Sequence, residues 1–222
     1  EKGRQDMSKN LKTRWEEGTN ELIAKLSMKG INFQDFHALE IFGRDGSWHT
    51  SIFEKIVKSM EIWEIDTKWK SDLERNFPKS KIRIIDSINT IQHDSNLPKF
   101  DLLLIDNPMN TFGELKGTDQ QYCEHFDIIN FVTKFVNKKI LVIFNVNNHP
   151  FDYEKYPEWK KRRDAFYGTN NTANLDIKFL HGFYENLFKK ISLNVIFKIN
   201  ETRVYFNEIK MTHYFAYYLE KK

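Results

Sequence analysis

Cysteine is nearly absent from this chain. Cys123 stands alone among 222 residues. That excludes an internal disulfide and, with no signal-peptide pattern at the charged N-terminus, favours a reducing, cytosolic setting. Long apolar runs are missing too: none approaches the ~18 residues that a membrane-spanning helix needs. Charge of one sign is also missing. Lys and Arg total 34 against 31 Asp and Glu, a net charge of +3, which neither demands nor excludes nucleic acid as a partner. There is no internal repeat and no low-complexity tract. Glycine is scarce at 9 copies, so a glycine turn carries information where it occurs. What the chain does have is apolar mass, 40% of residues with 19 Phe. That suffices for the core of one domain with thick sheet–helix packing.

Short apolar runs closing on glycine or acid dominate the first half. HALEIF (37–42), EIWEID (61–66), KIRIID (81–86) and FDLLLID (100–106) read as strands, and KILVIFNV (139–146) as a fifth. Helical stretches separate them, from Ser47, over 67–77 and over 119–136. This β-α-β order predicts an α/β fold, a doubly wound, mostly parallel sheet. A helix over 8–29 precedes it, in an N-terminal helical extension spanning 1–36. Residues 37–222 then form a single domain. Segment 147–174 breaks the rhythm and is too long for a plain connection, so it reads as a lid-like insertion. After a helix over 175–191, residues 194–200 and 212–220 alternate as two strands. They complete a seven-stranded sheet with a C-terminal antiparallel hairpin.

Ligands of such sheets lie at the carboxyl ends of the strands. The polar residues collect there. Glu40, Gly43, Arg44 and Gly46 follow the first strand, Glu64 and Asp66 the second, Asp86 and Ser87 the third, and Asp106, Asn107 and Pro108 the fourth. Asp66 and Asp86 also suit helix caps. His37 and Trp48 suit packing, and His49 begins a helix at the glycine turn, within reach of a ligand.

In this order of elements the chain resembles the class I S-adenosylmethionine (SAM)-dependent methyltransferases, over roughly residues 37–220. The resemblance implies SAM as cofactor. Glu40, Gly43 and Gly46 would form the methionine-side turn, and Asp66, with Glu64 nearby, would bind ribose. Asp86 and Ser87 would meet the adenine amino group, and Asp106 and Asn107 the methyl and the acceptor. The family turn has glycines where Phe42 and Arg44 stand, and a guanidinium at Arg44 suits the cofactor's carboxylate. His125 and His149 are candidate bases. Asp106 with Asn145 or Asn147 offers too few carboxylates for a metal, so none is expected. An NAD-dependent dehydrogenase is disfavoured, because only Gly43 and Gly46 of its phosphate-binding turn are present.

The methyl acceptor stays open. A small molecule or glycan under the 147–174 segment is the first reading. Asp106-Asn107-Pro108-Met109 resembles the Asp/Asn-Pro-Pro-aromatic motif of amino-methylating enzymes, including those acting on DNA adenine. With the basic run Lys160 to Arg163, it keeps nucleic acid as the second. A catalytically silent binding module of methyltransferase type is the third.

Overall fold

Leu102–Ile105 is buried along its whole length, as expected of a strand covered on both faces. In the computed structural model, which describes residues 16–106, 125–147, 153–154, 157–205 and 209–222, it is β4 of a seven-stranded sheet. Its parallel companions are β1 (His37–Glu40), β2 (Ser59–Glu64), β3 (Lys81–Ile84) and β5 (Lys139–Asn147), and the hairpin is β6 (Leu193–Tyr205) and β7 (Ile209–Lys221). The order is β3-β2-β1-β4-β5-β7-β6, with β7 antiparallel to both β5 and β6.

Alternation along the strands divides the core in two. Ala38, Ile62, Leu104, Ile143 and Ala216 face one side. They pack on Leu22 and Leu26 of α1 (16–28), Phe53 of α2 (Thr50–Phe53) and Leu73 of α3 (Lys70–Asn76). Leu39, Trp63, Leu103, Val142 and Phe215 face the other. They meet Ile91 of α4 (Ser87–His93), Ile128 of α5 (Phe126–Ile129) and Leu180, Tyr184 and Phe188 of α7 (Ile177–Lys190). Helix α1 packs on this face through Leu22 and Leu26. Strand order reverses between β1 and β4, and that switch point is where sheets of this kind open a crevice.

The expected sheet and hairpin are present, with shifted ends. Strand β2 stops at Glu64, two residues short of the expected end, and the hairpin strands are longer than read, leaving only 206–208 between them. The basic run lies in a helix, α6 (Pro157–Tyr167). Tyr167, the last residue of this helix, belongs to the main core. Asn107 and His149 lie outside the described residues.

Candidate active site

Glu40 is the last residue of β1 and its side chain is fully buried. A carboxylate in that position is costly unless partnered, and the partners come from the start of α2. His49 Nε2 lies 2.6 Å from Glu40 Oε2. The Thr50 hydroxyl donates to the same oxygen at 3.1 Å. The other imidazole nitrogen, Nδ1, lies 2.7 Å from the Tyr214 hydroxyl and 3.6 Å from Asp106 Oδ2. Asp106 follows β4 on the same face as Leu102 and Leu104, and Tyr214 pairs with Asn145 of β5. The antiparallel strand therefore brings a tyrosine to the carboxyl end of the parallel ones. The Asp106 side chain retains 12% exposure, whereas His49 and Glu40 have 1% and 0%. Burial pushes the Glu40 carboxyl above the usual range, opposed by His49 and reinforced by Asp106.

Next to this cluster lies the turn after β1. Gly43 N–H donates to the Trp63 carbonyl at 2.9 Å, and Gly46 N–H to the Gly43 carbonyl at 2.8 Å. A Cβ on Gly43 would fall 2.4 Å from Ile62 Cγ2. Gly46 has φ +69°, and a Cβ there would lie 2.0 Å from the Phe77 ring. Both glycines are thus required by packing against the neighbouring elements. Arg44 also adopts a left-handed φ, 46°, and its guanidinium rests 5.5 Å from the centre of the Trp69 ring. The Arg44 backbone N–H is held by Glu64 Oε2 at 2.6 Å, while Glu64 Oε1 accepts from Asp66 N–H at 2.8 Å. Burial raises the Glu64 carboxyl, opposed by the backbone N–H groups of Asp66, Arg44 and Ile65.

The remaining candidates are used locally. The Asp66 carboxylate caps the next helical turn through Lys68 N–H at 3.0 Å and pairs with Lys68 Nζ at 2.6 Å. Asp86 caps α4 through Asn89 N–H at 3.0 Å. The Ser87 hydroxyl donates to the Ile41 carbonyl at 2.9 Å, tying β1 to α4. His125 lies within the main aromatic core, against Phe126, Phe144, Phe166 and Tyr184, with Nε2 2.5 Å from the Tyr184 hydroxyl. Burial, and then the Arg163 charge, hold its pKa down to about 3. That environment corrects the reading of His125 as a base: it is a neutral packing residue. Among the described residues no cluster of His, Cys, Asp and Glu fits a metal, and no helix is long and apolar enough to cross a membrane.

No protein-family model and no curated protein matches the chain. Solved structures do. The TYW2 of M. jannaschii, determined in complex with AdoMet, superposes with a TM-score of 0.53 at 11% identity, over 94% of this chain and 78% of that one. The N-methyltransferase NodS of Bradyrhizobium japonicum gives 0.51 at 12% identity, over 93% and 94%. The chain has the class I methyltransferase fold. At such low identity the likeness carries the architecture alone, and the site has to be argued from its own residues.

His49 and Tyr214 complete the cluster. His49 was legible as a residue beside the glycine turn. Tyr214 was not singled out. The signal for it lies in the hairpin: an antiparallel β7 beside β5 must start at the end where parallel strands finish.

Proposed function

We propose that the protein is a SAM-dependent methyltransferase of a small-molecule or glycan acceptor. The observation that carries this reading is the convergence of Glu40, Glu64 and Asp106 at the carboxyl ends of three adjacent strands, around the switch point. The donor set suits the cofactor. Both Glu64 oxygens are held by backbone N–H groups, which fixes the carboxylate in place, and its remaining acceptor capacity suits a ribose hydroxyl. Asp66 is occupied by its cap and by Lys68, so Glu64 takes the ribose role in this proposal and Asp66 supports the turn. Asp86 would lie near adenine, with Ser87 fixing the strand end. Asp106, with Asn107, would orient the acceptor. Bound SAM supplies an electrophilic methyl group. The protein's part is to place and desolvate the acceptor and to take up its proton.

The basic run gives little support to a nucleic-acid acceptor. Arg162 pairs with Asp127, Lys160 with Asp164, and Lys161 with Glu158. Arg163 is buried, its guanidinium 5.7 Å from the Tyr167 ring centre. Calorimetry with SAM tests the cofactor assignment. Glu64→Gln should weaken binding by tens-fold or more, the equivalent of about 2–3 kcal/mol for charge-assisted bonds. A wild-type chain that does not bind SAM would reduce the protein to a silent module of the same fold.

A further inference from the structure

Arg44 holds a backbone conformation that glycine would take without strain. Its φ is 46°, in the left-handed region that a side chain resists. An arginine kept there against its own preference has a use for its side chain. That side chain lies on the β2 side of the turn. Gly43 N–H binds the Trp63 carbonyl and Arg44 N–H binds Glu64 Oε2, so the turn leans on β2. The guanidinium rests 5.5 Å from the centre of the Trp69 ring, in the helical turn Thr67–Trp69 that follows β2. In the strand order β2 and β4 flank β1 on opposite sides. Arg44 is therefore directed away from Asp106 and the methyl-transfer end. The neighbouring cation is placed differently. Lys68 Nζ also lies over the Trp69 ring, at 5.2 Å, but it pairs with Asp66 at 2.6 Å. Among the described residues no carboxylate and no carbonyl accepts a hydrogen bond from the half-buried Arg44 guanidinium.

We propose that Arg44, backed by Trp69, binds the ribose of the cofactor's nucleoside as the partner of Glu64, and does not serve the cofactor's amino-acid carboxylate. This rests on the methyltransferase reading above. An ionised carboxylate only accepts hydrogen bonds, and a guanidinium only donates them. A hydroxyl does both. A ribose hydroxyl set between the two side chains can donate to Glu64 and accept from Arg44. A carboxylate or phosphate in the same place would use the guanidinium alone and be repelled by Glu64. Trp69 is the positioning residue. Its ring face holds the planar guanidinium by cation–π attraction and takes up none of the N–H donors, which stay available to a ligand. The contact also restricts a long side chain that binding would otherwise have to order. Glycine at position 44 would form the same turn with less strain, but it would bring no donor.

Two probes separate the ends of the cofactor. Methylthioadenosine has the nucleoside and the sulfur but no amino-acid carboxylate, and S-adenosylhomocysteine has both. Arg44→Gly is the variant to use. Glycine suits the left-handed φ and keeps the backbone N–H that Glu64 holds, so the turn is retained. Calorimetry should show both probes weakened by the same factor, about tenfold or more for lost bonds to a charged donor. Trp69→Ala should weaken both in parallel, and Trp69→Phe, which keeps a ring face, should recover most of the affinity. A loss in Arg44→Gly confined to S-adenosylhomocysteine would assign the guanidinium to the carboxylate and overturn the proposal. So would unchanged affinity for both probes, or a wild-type chain that binds S-adenosylhomocysteine alone. Each of these results leaves the methyltransferase reading intact. Equal losses in Trp69→Phe and Trp69→Ala would overturn the role given to the ring. If the wild-type chain binds neither probe, the methyltransferase reading falls, and this inference with it.

Discussion

Glu64, at the end of β2, holds Arg44 in the turn after β1: its carboxylate accepts the Arg44 backbone N–H at 2.6 Å. Arg44 sits at φ 46°, a conformation that costs a non-glycine residue about 1 kcal/mol or more, so the bond fixes a turn that its own sequence resists. Glu64→Ala should lower unfolding stability by about 2–3 kcal/mol, since a buried charge-assisted pair of bonds is lost. Asp66→Ala removes a cap and should cost about 1 kcal/mol. Urea denaturation compares them, and equal losses would deny Glu64 this role.

Two glycines with positive φ differ in what surrounds them. A Cβ on Gly46 would meet Phe77 at 2.0 Å, whereas one on Gly168, at φ +66°, would meet nothing within 4 Å. Gly168→Ala should cost about 1 kcal/mol from backbone strain alone. Gly46→Ala adds displacement of a buried ring and should cost roughly 3 kcal/mol or more. Thermal melts should rank the two in that order.

His125 makes stability fall toward acid. Its pKa is about 3 in the native chain against the usual 6.5. Between those values the unfolded chain binds a proton that the native state does not, so stability drops by about 1.4 kcal/mol per pH unit as pH falls below 6.5. His125→Gln removes that slope. The stability gap between wild type and variant should narrow by roughly 2–3 kcal/mol from pH 7.5 to 4.5. A gap that stays constant would mean that His125 is not held neutral by the fold.

Arg163 and Lys161 are two residues apart and differ in burial. Arg163 lies against Tyr167 inside the fold, and Lys161 is exposed. Arg163→Ala should destabilise by roughly 2–4 kcal/mol, and Lys161→Ala by less than about 0.5 kcal/mol. Loss of affinity for short RNA or DNA in Lys161→Ala, without loss of stability, would restore the nucleic-acid reading.

The strands were legible because their apolar runs are short and bounded by acid or glycine. Their ends were less so. EIWEID reads as one strand, but the chain leaves the sheet at Glu64 and turns Asp66 into a cap, and the acid nearest the switch point changes with those two residues. Burial of single polar residues was not legible either. His125 reads from the sequence as a candidate base, whereas three-dimensional packing surrounds it with aromatics from α5, α6, α7 and β5. Lys160 to Arg163 read as one basic patch, although each of the four finds a carboxylate or an aromatic ring close by. The Glu40–His49 contact, nine positions apart, follows from the turn geometry and not from any spacing rule.

Strand β7 is made after β6 yet lies inside it, between β6 and β5. Among the described residues β6 has no other neighbour in the sheet, so it has no described strand to pair with while the ribosome is still adding β7. The hairpin has to enter as a unit, and until it does the outer side of β5 is a bare edge, a template for unwanted pairing. Tyr214 arrives with that same late strand. The cluster around His49 therefore assembles last, and a partly made chain that already displays every parallel strand would still lack the residue that closes it.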